Sequence, residues 1–124
     1  MSDKGASQLF GLPDELFIPR RPGSNVITKR DVRAIALAHL GLHKHTILWD
    51  IGSGTGSVAI EAAHLANAGH VYAIECNAEA VEAIKANCHR LYAPNVSVIA
   101  GHAPQVLHTC LTQTPSLSVA VGAH

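Results

Sequence analysis

Leu48-Trp49-Asp50-Ile51-Gly52-Ser53-Gly54-Thr55-Gly56-Ser57 is the stretch that decides the fold. An apolar run over 47–51 passes directly into three alternating glycines, and a helical pattern over about 56–67 follows. The glycines therefore stand at the carboxyl end of a strand, where open α/β sheets bind ligands. Gly52 and Gly54 permit a tight turn and let a ligand approach the backbone without meeting a Cβ, while Gly56 is expected to let the helix start close to its strand.

Outward from this loop the chain alternates. Apolar, β-branched runs at 47–51, 71–74, 96–100 and 117–121 begin about 20 to 30 residues apart and predict buried parallel strands. Helical patterns lie between them at about 56–67 and 77–91, with Asn77 as N-cap of the second, and a weaker one at about 103–110. Ahead of the first strand, Thr28 and Asp31 resemble a capping box opening a helix over about 28–41, with Val32, Ile35, Ala36, Ala38 and Leu40 at helical spacing and Gly41 at its stop. The fold class is α/β, an open, mostly parallel, doubly wound Rossmann-like sheet. Residues 1–27, punctuated by Pro13, Pro19, Pro22 and Gly23, form an N-terminal arm without regular structure, anchored by Phe10, Leu12, Leu16 and Phe17. Residues 28–124 form the binding domain. Only four strands precede the end of the chain, so the sheet is expected to be truncated after the fourth; the alternative is an edge covered by another subunit, and a homo-oligomer is expected.

Composition narrows the partners. With 124 residues, 48% of them hydrophobic, the chain is one globular domain. Nine Lys and Arg balance nine Asp and Glu, which argues against nucleic acid or an anionic membrane as a partner. Cys76, Cys88 and Cys110 are odd in number and lack C-x-x-C spacing, which argues against a disulfide framework or a thiolate metal site and favours a reducing cytoplasm. The polar start and the absence of an apolar run near 20 residues predict a soluble, non-exported protein.

Spacing also narrows the ligand. A dinucleotide fingerprint needs a third glycine where Ser57 stands, and a mononucleotide loop needs a lysine, yet none occurs between Lys44 and Lys85. What does match is an acid in the strand, Asp50, then Gly-x-Gly-x-Gly, with Glu75 closing the next strand 23 residues beyond Gly52. A carboxylate there can accept hydrogen bonds from both ribose hydroxyls of a nucleoside.

This pattern resembles the cofactor loop of S-adenosyl-L-methionine-dependent methyltransferases with the Rossmann-like fold. The resemblance assigns Asp50 to the cofactor's amino-acid end, directly or through water, Gly52 and Gly54 to backbone contact, and Ser53, Thr55, Gly56 and Ser57 to the same loop. Read with the arm, the likeness narrows. Phe10-Gly11-Leu12-Pro13-Asp14-Glu15-Leu16-Phe17, Ile27-Thr28-Lys29-Arg30-Asp31-Val32-Arg33, the glycine loop and Gly101-His102-Ala103-Pro104-Gln105-Val106-Leu107 together look like the precorrin-6Y methylase (decarboxylating) family of cobalamin biosynthesis. That resemblance implies methyl transfer to a corrin-ring precursor, at carbon 15 in stand-alone members, with loss of carbon dioxide from an acetate side chain. It puts Ile27, Thr28 and Lys29 at the mouth of the site, where the arm meets cofactor and tetrapyrrole, and His102 and Ala103 beside the adenine, through the backbone at His102. No catalytic side chain follows from spacing, because methyl transfer from a sulfonium asks mainly for proximity and orientation.

Two other functions are compatible with the loop: a nicotinamide-binding oxidoreductase, against which Ser57 counts, and a non-catalytic methyltransferase-like domain. The basic residues Arg20, Arg21, Lys29, Arg30 and Arg33 form either a solvated face or a contact for the carboxylates of a tetrapyrrole. The nine histidines, including His43 and His45 in one turn and His64, His89 and His108 on helices, read as solvated side chains and no metal site is expected. Cys76 reads as a small buried filler.

Overall fold

A computed structural model describes residues 8–102 and 118–121, the last four by backbone only. Helix α1 is Arg30–His39, strand β1 Ile47–Ile51, helix α2 Ser57–Leu65, strand β2 His70–Glu75, helix α3 Ala78–Arg90, strand β3 Val96–Ala100 and strand β4 Ser118–Val121. The four strands form one parallel sheet in the order β3-β2-β1-β4. The expected strands are present to within a residue or so of their expected bounds, because β-branched runs between turn formers leave little choice of state. The weak helical pattern at 103–110 lies outside the described residues, as do Ala103, His108 and Cys110.

The sheet is asymmetric in what covers it. Leu48, Val71 and Ala73 on one face pack with Ala59, Ile60 and Ala63 of α2, Ile84 of α3, Leu37 of α1, and Leu12 and Phe17 of the arm. The opposite face carries Trp49, Ile51, Tyr72, Ile74 and Ile99. Burying an aliphatic side chain of this size contributes about 1.5–3 kcal/mol, so Leu48, Ile60, Val71 and Ile84 fasten α2 and α3 to this face of the sheet.

Three expectations about the arm and α1 are corrected. The arm is not wholly irregular: Asp14–Leu16 forms a single 3-10 turn, and Leu12 and Phe17 enter the main core while Phe10 is 43% exposed. The N-cap of α1 is Lys29 rather than Thr28, with no side-chain capping bond, since it is the Lys29 carbonyl that accepts the first helical N–H, that of Arg33, at 2.8 Å. The core face of α1 is also not the one its apolar spacing suggests. Val32 and Ile35 are about 60% exposed, at 60% and 59%, whereas Arg33 and Leu37 are buried. Arg33 is neither solvated nor free for a substrate. Its guanidinium pairs with Glu61 and Asp14, donates to the Leu12 carbonyl at 2.8 Å and lies over the Phe17 ring. An ion pair this deep, fully hydrogen bonded, outweighs the apolar residues in setting the helix rotation.

Candidate functional site

The site is assembled where β1 and β2 end together. Ile51 pairs with Ile74 in parallel register, so Gly52 and Glu75 emerge from neighbouring strands at the same level. Both Gly52 and Ser53 donate to the Ile74 carbonyl, at 2.8 and 3.2 Å, which folds the loop over the end of β2. Gly52 and Gly54 take positive φ, 71° and 64°, a conformation in which an L side chain would be strained. The reason for Gly56 differs from the expected one. At φ 82° it is the N-cap of α2, and a Cβ on it would lie 3.0 Å from Ile84 Cγ2 of α3, so it serves close packing against the following helix rather than against its own strand.

Two acids organise the loop from opposite sides. Asp50 is 2% exposed and its Oδ2 accepts the Ser53 hydroxyl at 2.8 Å, fixing the first half of the loop from below. Glu75 is 8% exposed; Oε1 accepts the Gly54 N–H and Oε2 the Asn77 N–H, both at 2.9 Å. Asn77 then caps α3 by accepting from Ala80 N–H at 2.9 Å, as its position predicted. One carboxylate thus spans the glycine loop and the start of the next helix. Each oxygen retains accepting capacity for a further donor.

Above these residues lies a cavity of about 330 Å³. The arm supplies Arg20, Val26, Ile27 and Thr28 to its wall, the loop Ser53, Gly54, Thr55 and Ser57, and the second strand and third helix Glu75 and Ala80. A second cavity of about 240 Å³ shares Val26, Ile27 and Thr55 with it and adds Lys29, Asp14 and Asn25. Among the described residues, Thr55 Oγ1 and Arg20 Nε are buried without a hydrogen-bond partner, and both residues line the larger cavity.

Of the residues expected at the site, Ile27, Thr28, Ser53, Gly54, Thr55, Ser57 and Glu75 meet around one cavity, and Lys29 borders the other. Asp50, Gly52 and Gly56 act through the loop's shape. Arg30 is turned away, its Nε donating to the Gly11 carbonyl at 2.6 Å, and His102 is exposed beyond the end of β3. Cys76, expected as a buried filler, is exposed. His64 is only half-buried surface, with its Nε2 2.9 Å from the Leu91 carbonyl. Val26 and Ala80 were not foreseen because a lone apolar residue in an arm or a helix carries no signal of its own. Asn87 and Glu61 did leave one: each is a polar residue set among alanines and aliphatics on an otherwise buried helix face.

The parallel sheet, the glycine loop at the end of its first strand and the acid at the end of its second define a Rossmann-like domain of the class I methyltransferase type. The chain belongs to a particular family within it: residues 23–122 match the precorrin methyltransferase domain. Among its relatives, a probable cobalt-precorrin-6B C(15)-methyltransferase (decarboxylating) of Sulfolobus acidocaldarius is 40% identical over 99 residues, which cover 79% of this chain and 50% of the relative. The cobalt-precorrin-6B C(15)-methyltransferase (decarboxylating) of Salmonella typhimurium is 42% identical over 97 residues, 77% of this chain and 49% of the relative. Among solved structures, precorrin-6y C5,15-methyltransferase from Geobacter metallireducens superposes with a TM-score of 0.83 at 32% identity, covering 94% of this chain and 59% of that one. The chain spans about half the length of the curated relatives it matches.

Proposed function

We propose that this chain binds S-adenosyl-L-methionine in the larger cavity and serves methyl transfer to a corrin-ring precursor, coupled to decarboxylation of an acetate side chain, in cobalamin biosynthesis. The observation that carries this reading is Glu75, a nearly buried carboxylate on the cavity wall whose two oxygens are each oriented by a backbone N–H. Such a group is a ready acceptor for a pair of ribose hydroxyls. The surrounding residues fit the same cofactor. Gly54 offers backbone without a Cβ, and Ser53, Thr55 and Ser57 put polar residues of the loop on the cavity wall.

In this reading Glu75 holds the ribose, and the main chain of Gly52 and Gly54 faces the amino-acid end, with Asp50 acting on it through Ser53. The backbone of His102 and Ala103 flanks the adenine, while Thr28, Ser53, Thr55, Gly56 and Ser57 complete the loop side. When bound, the sulfonium supplies an electrophilic methyl group. The protein's own part is to orient and to exclude water, a task for which Val26 and Ile27 give an apolar wall common to both cavities. Ile27 and Lys29 lie toward the tetrapyrrole, a carboxylate of which the Lys29 ammonium would meet, while Arg30 is held on the Gly11 carbonyl. The relatives' names support methyl transfer to a precorrin, and among the described residues no helix is long and apolar enough to cross a membrane. We infer a cytoplasmic, homo-oligomeric setting.

Titration calorimetry tests the reading. S-adenosylhomocysteine is expected to bind and NAD to bind far more weakly, and Glu75→Ala is expected to cost about 1.5–3 kcal/mol of that affinity, the scale for a charged hydrogen-bonding partner. Binding of NAD in preference, binding of neither, or an unchanged affinity in the variant would overturn it.

A further inference from the structure

The wall that the arm gives to the cavity is a strap tied at both ends by buried side chains of the folded domain. At one end, Asn87 of α3, with no exposed surface, accepts the Ile18 N–H on Oδ1 at 2.6 Å and donates from Nδ2 to the Ile18 carbonyl at 2.9 Å. At the other, Arg33 Nε donates to the Thr28 carbonyl at 3.2 Å. Between these ties run Arg20, Val26 and Ile27, which face the cavity, and Arg21, Pro22 and Gly23, which are exposed. Hydrogen bonds inside the strap are few: Ser24 N–H to the Arg21 carbonyl at 3.1 Å and Val26 N–H to the Ser24 hydroxyl at 3.3 Å. Among the described residues its ion pair is Arg21 with Glu79 at 3.8 Å, solvent-exposed on both sides and contributing little.

Asn87 has a third bond. Its Nδ2 also donates to the carbonyl of Thr55, at 2.9 Å, inside the glycine loop. One amide therefore holds the strap and the loop, the two walls that close on the cavity, at a fixed separation. We propose that Asn87 is a positioning residue for ligand binding: it touches no ligand, but sets strap against loop, so that occupancy of the cavity and order of the strap are coupled. By linkage, a ligand that binds the ordered strap better than the open one steadies the strap by the same factor by which strap order raises its affinity. The inference rests on the cavity being a cofactor site, as proposed above, for its ligand arm alone.

Limited trypsin digestion and calorimetry test it together on the whole chain. Cleavage after Arg20 reports strap opening, since Pro22 protects the bond after Arg21 from trypsin, and S-adenosylhomocysteine is the probe ligand. Asn87→Asp keeps the acceptor for Ile18 but turns a carboxylate toward two carbonyls; Asn87→Ala removes all three bonds. Both are expected to speed cleavage at the strap and to weaken ligand affinity by about tenfold, the loss expected when buried hydrogen bonds of this kind are broken. In the unaltered chain the ligand is expected to slow that cleavage. Val71→Ala, in the core of β2 and away from both walls, serves as a variant of lowered stability, and is expected to leave the folded strap's cleavage and the affinity unchanged. Equal cleavage and affinity for Asn87 variants and Val71→Ala, at matched thermal stability, would reduce Asn87 to a core residue and overturn the proposal. Failure of the probe to bind the unaltered chain would count against the cofactor reading, and strap cleavage without ligand would then decide the clasp by itself.

Discussion

A Cβ built on Gly69 would lie 2.0 Å from the carbonyl oxygen of Thr46, a backbone atom with no freedom to retreat. That carbonyl is also the acceptor for His70 N–H at 3.1 Å, the bond that starts the pairing of β2 with β1. Gly69 is thus required by close approach, not by its backbone angle. Gly56 is required by both: its φ is 82°, and its absent Cβ would meet the Ile84 side chain at 3.0 Å. Ile84 can shift slightly, whereas the Thr46 carbonyl cannot do so without breaking strand register. We therefore expect Gly69→Ala to destabilise by about 3 kcal/mol and Gly56→Ala by about 1–2 kcal/mol, in the range for overpacking and for a left-handed Ala. Urea midpoints in the order unaltered, Gly56→Ala, Gly69→Ala check this; the reverse order of the two variants would refute it.

At the scale of elements, the contact of α1 with α2 is made through Arg33 and Glu61, both without exposed surface. Glu61 also accepts the N–H of Gly11 at 2.5 Å and of Leu12 at 3.2 Å, so it fastens the arm and the first helix at once. Removing one partner leaves a charge buried and unpaired, and Arg33→Met is expected to cost about 3–5 kcal/mol. Glu61→Leu should cost a similar amount, since two backbone donors lose their acceptor as well as the guanidinium its partner. The double variant is expected to be less destabilised than the sum of the singles by about 0.5–3 kcal/mol, the usual coupling of residues in contact. Denaturant unfolding of the four proteins measures it, and strict additivity would show that the pair does not act as a unit. This pair also marks where sequence reading stopped. Val32 and Ile35 supplied the apolar periodicity that pointed the wrong face of α1 inward, because periodicity weighs hydrophobicity and is blind to a buried arginine whose partner lies 28 positions away.

For the molecule as a whole, legibility followed the range of the interaction that decides each feature. Strand runs, the Asn77 cap and the glycine loop are local, and they were readable; the meeting of Glu75 with the loop followed from strand order, which alternation with helices implies. The strap's ties through Asn87 and Arg33, and the Gly69 contact, are made across the sequence; Asn87 stands out as a polar residue on an apolar helix face, but nothing local names the partners. His70 is another such feature, and it gives stability a pH dependence. Its Nε2 lies 2.7 Å from Ser97 Oγ across the pairing of β2 with β3, its ring rests 4.8 Å from that of Tyr72, and burial holds its pKa below the ordinary 6.5. As the pH falls through 6.5 the unfolded chain takes up this proton first, so its contribution to stability is complete above that value and is lost progressively toward the lower folded pKa. Thermal midpoints are therefore expected to fall between about pH 7 and pH 5, before most carboxylates titrate. In His70→Gln, which can keep a hydrogen bond to Ser97 and cannot be protonated, that slope should flatten, while His43→Gln at an exposed turn should leave it unchanged. An identical slope in all three proteins would mean that the β2 to β3 pairing does not sense the proton at all.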